Sequence, residues 1–283
     1  MACARAPPGP SPAPARLWIG GDVYLGAKPE GQLSAIGALE RGRAGVVNLE
    51  GPIGDAAVAE GGRLIQPASA LGELARVGVK VALIANNHAG DAGPEGAART
   101  AEAVRAAGMA AAGVAIVELG GRRIAVTAHD LGAGVPAGLS GELAAARARA
   151  DALVATFHVT GPPRYRPAPE LVSAVEIAVG SGASAVAAEG THALGKVERR
   201  GPVVIAWGLG NLAFACDCTD EEDGALLEVD LDGQGAGEAA VVPVAAGLLG
   251  RPAAPAPDAA ALYELLERIG SSPLRPEGPR ARF

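Results

Sequence analysis

The chain has 283 residues, 49% of them hydrophobic, and a formal net charge of −7, a composition typical of a folded globular protein and not of a disordered chain. Aromatic residues make up only 3% of the chain, so a core must be built from Ala, Val, Leu and Ile. The acidic charge, the lack of long Lys/Arg runs and the scarcity of aromatic rings exclude an ordinary nucleic-acid-binding module.

The cysteine content and the hydropathy bear on location. Three cysteines, Cys3, Cys216 and Cys218, are too few for a disulfide framework, which fits a reducing compartment. The longest uncharged stretch, residues 201–216, is too short and too interrupted by Gly and Pro to span a bilayer. We therefore expect a cytoplasmic protein without a membrane span.

Hydrophobic periodicity and turn residues divide the chain into alternating strands and helices. In chain order, the predicted elements are strand 16–23, helix 30–43, strand 44–49, helix 68–77, strand 79–85, helix 94–107, hairpin strands 112–119 and 122–128, helix 141–150, strand 152–158, helix 167–180, strand 183–188, hairpin strands 196–199 and 203–207, strands 225–231 and 239–245, and helix 258–269.

This order of elements predicts an α/β fold with mixed sheets. No linker divides the chain, so a single domain is expected over residues 16–270. The Pro/Ala-rich residues 1–15 are expected to be a disordered leader, and residues 271–283 a flexible tail.

Polar side chains recur where the predicted strands end. Asp22, Glu50, the Asn86-Asn87-His88 run, His158 and His192 all occupy such positions. Each alone could be a turn former or a helix cap. Loops after the carboxyl ends of strands converge on one crevice, however, and three of the four histidines lie there. The donors suit Mg, Mn, Zn or Fe(II), so a divalent metal site is predicted.

At this point the sequence resembles a known family. The segments are GGDVYLG (20–26), VVNLEGPIG (46–54), ANNHAGDAG (85–93), TFH (156–158), THALGKVE (191–198) and WGLGNLAF (207–214). In this order they are similar to motifs of the CapA/PgsA family, the capsule and poly-γ-glutamate synthesis proteins. The resemblance covers roughly residues 17–244 and implies a calcineurin-like metallophosphoesterase fold, a four-layer α/β/β/α sandwich.

The resemblance also implies roles for individual residues. His88 would face the substrate as general acid or oxyanion stabiliser, Asp91 would orient His88, and Asn211 would support substrate binding. One or two divalent ions would polarise the substrate and activate a water molecule. The implied metal ligands are Asp22, Glu50, Asn87, His158 and His192.

The sequence departs from the family pattern in one half of the site. Where the family has the first histidine of Gly-x-His-Pro-His, this chain has Gly190, and Glu189 is the obvious substitute ligand. The Glu that ends the family's His-Trp-Gly-x-Glu is absent after His158. Either a second metal is weak or lost, or the site is rebuilt around Glu189 and His129, although His129 is better interpreted as an ordinary loop histidine.

Two further segments have alternative interpretations. Arg164 and Arg166, in a Pro-rich loop after His158, suit an anionic substrate or a solvated surface equally well. Cys216 and Cys218 lie in the acidic run 216–223, which suits either a metal or redox site or a solvated loop. Its charges could also repel anionic substrates.

The leading functional hypothesis is a metal-dependent hydrolase of an anionic ester or amide, phosphoester or glutamyl-polymer-like, in capsule, polyglutamate or related peptide biosynthesis. The substrate would be an anionic small molecule, peptide or polymer, and a biosynthetic ligase a possible partner. The alternative hypothesis is a catalytically impaired accessory protein that presents a peptide or polyanion to that ligase.

Overall fold

The structure is a computed structural model that describes residues 12–161 and 165–283. Two β-sheets pack face to face, and helices cover the outer face of each. This confirms the four-layer α/β/β/α sandwich with mixed sheets. Within the described residues no helix is long and apolar enough to cross a membrane.

Strands account for most of the regular structure. In chain order they are β1 Ala15–Tyr24, β2 Ala44–Leu49, β3 Ile53–Gly54, β4 Val58–Glu60, β5 Arg63–Pro67, β6 Val79–Leu83, β7 Ala110–Ala112, β8 Val114–Leu119, β9 Arg122–Asp130, β10 Ala152–His158, β11 Ala185–Glu189, β12 Val197–Arg200, β13 Val203–Ala206, β14 Asn211–Phe214, β15 Asp223–Asp232, β16 Gly235–Ala245, β17 Gly247–Leu248, β18 Ala254–Pro255, β19 Arg275–Glu277 and β20 Arg280–Arg282.

The helices follow the strands as connections. They are α1 Ser34–Leu39, α2 Ser69–Arg76, α3 Gly96–Ala106, α4 Leu139–Ala148, α5 Pro169–Gly180 and α6 Ala259–Arg268. Pro169 begins α5 at a position where its missing N–H is not needed. The side chain of Asp258 caps α6 by accepting a hydrogen bond from Ala261 N at 3.0 Å.

The larger sheet has the strand order β19-β20-β16-β15-β1-β2-β6-β7, with β14 beside the end of β1. The smaller sheet has the order β12-β13-β11-β10-β9-β8. In the larger sheet β1, β2 and β6 run parallel, and in the smaller sheet so do β9, β10 and β11. The carboxyl ends of both parallel sets therefore bring strand-terminal side chains to the sandwich edge that holds the candidate site.

Three apolar layers hold the sandwich together. The inter-sheet layer packs Ile19, Val46 and Val81 with Val126 and Val154. A second layer lies between the larger sheet and α1 to α3, and a third between the smaller sheet and α4 and α5. Small side chains fill most of this volume, as the scarcity of aromatics requires, and close packing of such residues excludes water as larger side chains would.

Each predicted element has a counterpart in the structure, whereas the strands β3, β4, β5, β14, β17 and β18 lie outside the predicted elements. Predicted helix 30–43 is limited to α1, preceded by Gly31 with a φ of +83°. Ala15, expected in a disordered leader, begins β1 and is buried, and residues 1–11 lie outside the described residues. Residues 275–282, expected to be flexible, form β19 and β20, because β20 pairs with β16. A single domain over 16–270 stays a prediction.

Candidate metal centre and its cleft

Two buried carboxylates stand at the carboxyl ends of β1 and β2. Asp22 is 0% and Glu50 1% exposed, although both lie in largely apolar segments. Asn48, on β2, donates from Nδ2 to Asp22 Oδ1 at 2.8 Å and also to Glu50 Oε2. Gly190 N adds hydrogen bonds of 3.1 and 3.0 Å to the two oxygens of Asp22. These donors position both carboxylates.

His158 joins the two sheets at this point. It ends β10, and its Nε2 lies 3.4 Å from Glu50 Oε2. Ligand atoms of Asp22, Glu50 and His158 all lie within 4.8 Å of one another, and each of the three residues is buried. Two carboxylates and an imidazole at this spacing form a donor set for Mn, Zn, Fe(II) or Mg.

Buried polar atoms that lack hydrogen-bond partners in the described part of the chain indicate whether a cation fits beside Asp22, Glu50 and His158. Among the described residues, neither ring nitrogen of His158 has a hydrogen-bond partner, and the same holds for Glu189 Oε1. Burying polar groups without partners is costly, and a divalent ion held by Asp22 and Glu50 would satisfy His158 Nε2. The residues present therefore fit a divalent cation.

The titratable side chains of this cluster shift one another's pKa values. Burial raises the pKa of Asp22, but the hydrogen bond and charge of His192 outweigh burial and hold it below its ordinary value. Burial lowers the pKa of His158, whereas Glu50 and Asp130 raise it, and the net value lies well above normal. Burial, with Asp22 nearby, raises the pKa of Glu189 well above normal. Each of these shifts follows from burial and from the charges beside the group.

Glu189 and Gly190 occupy the half of the site where the sequence departs from the family pattern. Glu189 ends β11 beside His158 in register and is 3% exposed. Gly190 has a φ of +89°, and a β-carbon there would lie 2.5 Å from His158 Nε2. A side chain at position 190 is therefore incompatible with His158 as placed, and Glu189 remains the available donor on this side.

His192 approaches Asp22 from the opposite side. Its Nδ1 lies 3.2 Å from Asp22 Oδ2 and 2.8 Å from Asn211 Oδ1. Among described residues it is the only non-glycine residue with a positive φ, 53°, a strained conformation often found at functional sites. Burial lowers the pKa of His192, but Asp22 outweighs burial and raises it to about 9.

Asn211, predicted to support substrate binding, is fully buried behind His192. Its Nδ2 donates to Glu221 O at 3.2 Å, and its Oδ1 contacts His192. In the structure Asn211 thus connects the loop that carries Glu221 to the imidazole of His192.

His88 and Asp91 form a separate pair at the mouth of the centre. His88 Nδ1 lies 2.7 Å from Asp91 Oδ2, and Asp91 Oδ2 also accepts a 2.6 Å hydrogen bond from Leu64 N. The other ring nitrogen of His88 lies 4.0 Å from Glu50 Oε1. The contact with Asp91 leaves Nε2 of His88 toward Glu50, and the orienting role of Asp91 stays a prediction.

The two asparagines before His88 have different environments. Asn86 is buried, and it donates to Asn48 Oδ1 at 3.0 Å and to Leu49 O at 2.9 Å. Asn87, predicted as a metal ligand, is exposed, and its side chain is absent from the hydrogen bonds of the described residues. Asn86 therefore supports the loop, while ligation by Asn87 stays a prediction.

A cleft of about 540 Å³ opens on His88 and His192. One wall is the β4–β5 hairpin with Glu60, Arg63 and Leu64; the other is Phe214 and the loop that carries Cys218, Thr219, Asp220 and Glu221. The walls thus carry more acidic than basic side chains. Cys216 and Cys218 are bonded to each other as a disulfide, an arrangement that leaves neither thiol free to bind metal.

Of the two arginines predicted to bind substrate, the structure describes Arg166. Arg166 is exposed and is not among the residues that line this cleft. Arg164 lies outside the described residues. Arg63, which the sequence analysis did not single out, is the cation that the structure places in the cleft wall.

His129, the fourth histidine, faces away from the centre. Its Nδ1 lies 3.9 Å from Glu142 Oε2, and its ring lies 5.9 Å from that of Phe157. Asp130, the next residue, points to the other side of the strand and approaches His158.

Sequence reasoning missed Asn48, Asp130 and Gln66, which donates from Nε2 to Val23 O at 2.9 Å and to Glu50 O at 3.0 Å. A polar residue within an apolar strand, as in VVNLE, is the signal that could have found Asn48. The other two depend on contacts between segments far apart in the chain.

Comparison with known proteins agrees with this geometry. The family model described as bacterial capsule synthesis protein PGA_cap matches residues 31–216. No curated protein sequence matches the chain significantly.

Two solved structures share the fold. A novel phosphatase from Mycoplasma pneumoniae is 13% identical, with a TM-score of 0.57, over 83% of this chain and 94% of that one. A hypothetical protein from Thermus thermophilus is 16% identical, with a TM-score of 0.54, over 81% of this chain and 98% of that one. At such identities the likeness extends to the fold alone.

Proposed function

Because the chain belongs to the bacterial capsule synthesis protein family PGA_cap, we propose that it is a metal-dependent hydrolase of an anionic ester or amide. The observation that carries the proposal is the buried cluster of Asp22, Glu50 and His158, whose ligand atoms lie within 4.8 Å of one another beside the cleft. Because one of the structural neighbours is a phosphatase, a phosphoester is the substrate class that we favour.

Asp22, Glu50 and His158 would hold a divalent ion, with His192 and Glu189 as further donors on either side of Asp22. When bound, such an ion would polarise the scissile group and lower the pKa of a water molecule at the site. The strain at His192 and the hydrogen bond that its Nδ1–H donates to Asn211 Oδ1 support a fixed orientation of that imidazole. Mn, Mg, Zn and Fe(II) all suit this mixture of oxygen and nitrogen donors.

His88 would deliver a proton to the leaving group. Its Nδ1 contacts Asp91, so its Nε2 is the ring atom that faces the carboxylates and the cleft. In the protonated imidazole Nδ1–H donates to Asp91, and Nε2–H is available to the departing oxygen or nitrogen. Asp91 holds the ring in place.

The proposed physiological setting follows the family. A role in capsule or polyglutamate assembly, a ligase partner and a cytoplasmic location are parts of the proposal that rest on family membership or composition. The acidic cleft wall favours small anionic substrates over long polyanions, since Glu60, Asp220 and Glu221 line the approach.

One observation favours a second candidate, an accessory protein with impaired catalysis. Gly190 stands where the family pattern has a ligand histidine, and the imidazole of His158 leaves no room for a side chain there. Such a protein would keep the cleft and one ion, and it would bind an anionic peptide or polymer without cleaving it.

Metal analysis of the purified protein, paired with hydrolysis of bis(p-nitrophenyl) phosphate in added Mn²⁺, tests the proposal. We expect bound metal and turnover, with turnover abolished in Asp22→Asn and reduced at least about 100-fold in His88→Ala. His129→Gln is the matched control, because it alters a histidine that faces away from the centre. Metal binding without turnover would favour the accessory protein, and absence of both would refute both candidates.

A further inference from the structure

Three side chains stand in a row across the smaller sheet. Asp130 ends β9, His158 ends β10 and Glu189 ends β11, and His158 is in register with both neighbours. Directly opposed residues on neighbouring strands project to the same face of a sheet. His158 is therefore flanked by a carboxylate on each side, at the edge where the proposed metal ligands meet.

The two nitrogens of His158 face different neighbours. Nε2 lies 3.4 Å from Glu50 Oε2, whereas Nδ1 lies 3.7 Å from Asp130 Oδ1. The side chain of His158 is only 3% exposed, so water has little access to either nitrogen. A shift of a few tenths of an ångström would close the contact between Nδ1 and Asp130 into a hydrogen bond.

Asp130 is itself held in place. Its Oδ1 accepts a hydrogen bond from Gly132 N at 2.9 Å, and Leu131 N donates to His158 O at 2.9 Å. The carboxylate and the backbone of His158 are thus tied together by the same turn.

We propose that Asp130 is a positioning residue for the metal centre. It accepts the proton of His158 Nδ1 and thereby directs the lone pair of Nε2 toward Asp22 and Glu50. This inference rests on the proposed function, since it takes His158 as a metal ligand. A carboxylate behind a ligating histidine fixes the ring orientation and raises its basicity, and loss of such a partner typically weakens metal binding about 10- to 100-fold.

The variant Asp130→Asn separates this role from the turn. The Asn side-chain oxygen can still accept from Gly132 N, but it carries no charge to hold Nδ1–H. We expect Asp130→Asn to leave the thermal midpoint unchanged and to weaken Mn²⁺ binding about 10- to 100-fold in calorimetric titrations. Asp130→Ala should weaken binding similarly and also lower the thermal midpoint, because it loses the turn hydrogen bond.

Asp151→Asn is the matched control. Asp151 accepts a hydrogen bond from Arg123 N at 2.8 Å just before β10 begins, at the opposite end of that strand from His158. The control should bind Mn²⁺ as the unaltered protein does. An affinity of Asp130→Asn within about twofold of the unaltered protein would overturn the inference.

Proton–nitrogen NMR of the imidazoles adds a readout that needs no catalysis. The chain has four histidines, so their signals can be assigned by substitution. The Nδ1–H of His158 should resonate downfield and exchange slowly in both the metal-free and the Zn²⁺-loaded protein. Asp130→Asn should move the signal upfield and speed its exchange, because a neutral amide oxygen is a weaker acceptor than a carboxylate. If the unaltered protein bound no divalent ion, the proposed function would fail; retention of the slow Nδ1–H signal in Asp130→Asn would instead contradict the role of Asp130.

Discussion

Gly190 lies directly against His158: a β-carbon at position 190 would stand 2.5 Å from His158 Nε2. The backbone at Gly190 also has a φ of +89°, which residues with a β-carbon rarely adopt. The absence of a ligand histidine at this position is therefore coupled to the placement of His158, and one cannot be altered without the other.

Gly190→Ala should disturb the metal centre. The added methyl group must displace the imidazole of His158 or the backbone, at a cost of roughly 1–3 kcal/mol in the free energy of unfolding. We expect Mn²⁺ affinity to fall at least about tenfold, measured by calorimetry, together with a lower midpoint in urea. Gly72→Ala is the control, since Gly72 lies within α2 with open space around it. The free energy of unfolding of this variant should rise by about 0.5–1 kcal/mol. Undiminished metal affinity in Gly190→Ala would show that His158 is not a ligand.

Divalent ions should stabilise the fold, because an ion that binds the folded centre and not the unfolded chain shifts the equilibrium toward the folded state. Added Mn²⁺ at about 100 times its dissociation constant should raise the free energy of unfolding by about 2.7 kcal/mol, and a chelator should reverse the gain. Glu189→Gln should reduce this metal-dependent gain if Glu189 contributes a ligand. Glu40→Gln, a change at another buried carboxylate, should leave the gain intact; equal gains in both variants would remove Glu189 from the ligand set.

Much of the fold and part of the centre could be predicted from sequence. Asp22, Glu50, His158 and His192 each end or follow a parallel strand, and parallel strands place their carboxyl ends at one edge. The strand pattern of each segment, taken separately, was enough to predict that these four side chains lie at the same edge. The resemblance to a family then supplied the four-layer arrangement that the structure confirms.

The remaining features depend on register and on weak local signals. The register between β9 and β10 places Asp130 opposite His158 and directs His129 to the other face of the sheet. The sequence of neither strand alone specifies this register. The β4–β5 hairpin has strands of three and five residues around Gly61 and Gly62, too short for alternation to indicate strands. It nevertheless forms one wall of the cleft.

Glu40 should make the free energy of unfolding depend on pH. Its carboxyl oxygens are buried without hydrogen-bond partners, and burial together with Glu228 raises its pKa from 4.5 to about 8. Between those two values the folded protein keeps a proton that the unfolded chain has lost. Stability contributed by the protonated group is thus fully present below pH 4.5 and is lost as the pH rises toward 8, with a slope of up to about 1.4 kcal/mol per pH unit.

Glu40→Gln mimics the protonated carboxyl and should remove this slope. In urea titrations at about pH 5, 6.5 and 8, the free energy of unfolding of the variant should rise relative to that of the unaltered protein as the pH rises. Glu102→Gln removes the same charge at an exposed position on α3. Its free energy of unfolding should depend on pH as that of the unaltered protein does. Parallel curves for Glu40→Gln as well would mean that Glu40 titrates normally in the folded state.

The acidic cleft wall should weaken the binding of anionic substrates. Asp220 and Glu221 line the cleft of about 540 Å³ opposite Arg63, so their charges lie along the path to His88. Neutralising both, as Asp220→Asn with Glu221→Gln, should lower the KM for bis(p-nitrophenyl) phosphate by roughly 2- to 5-fold at low ionic strength and leave kcat unchanged. The difference should shrink in added salt, because exposed charges are screened. Asp217→Asn changes the charge of the same loop away from the cleft lining, and a KM reduced equally in this control would assign the effect to net charge instead of the cleft wall.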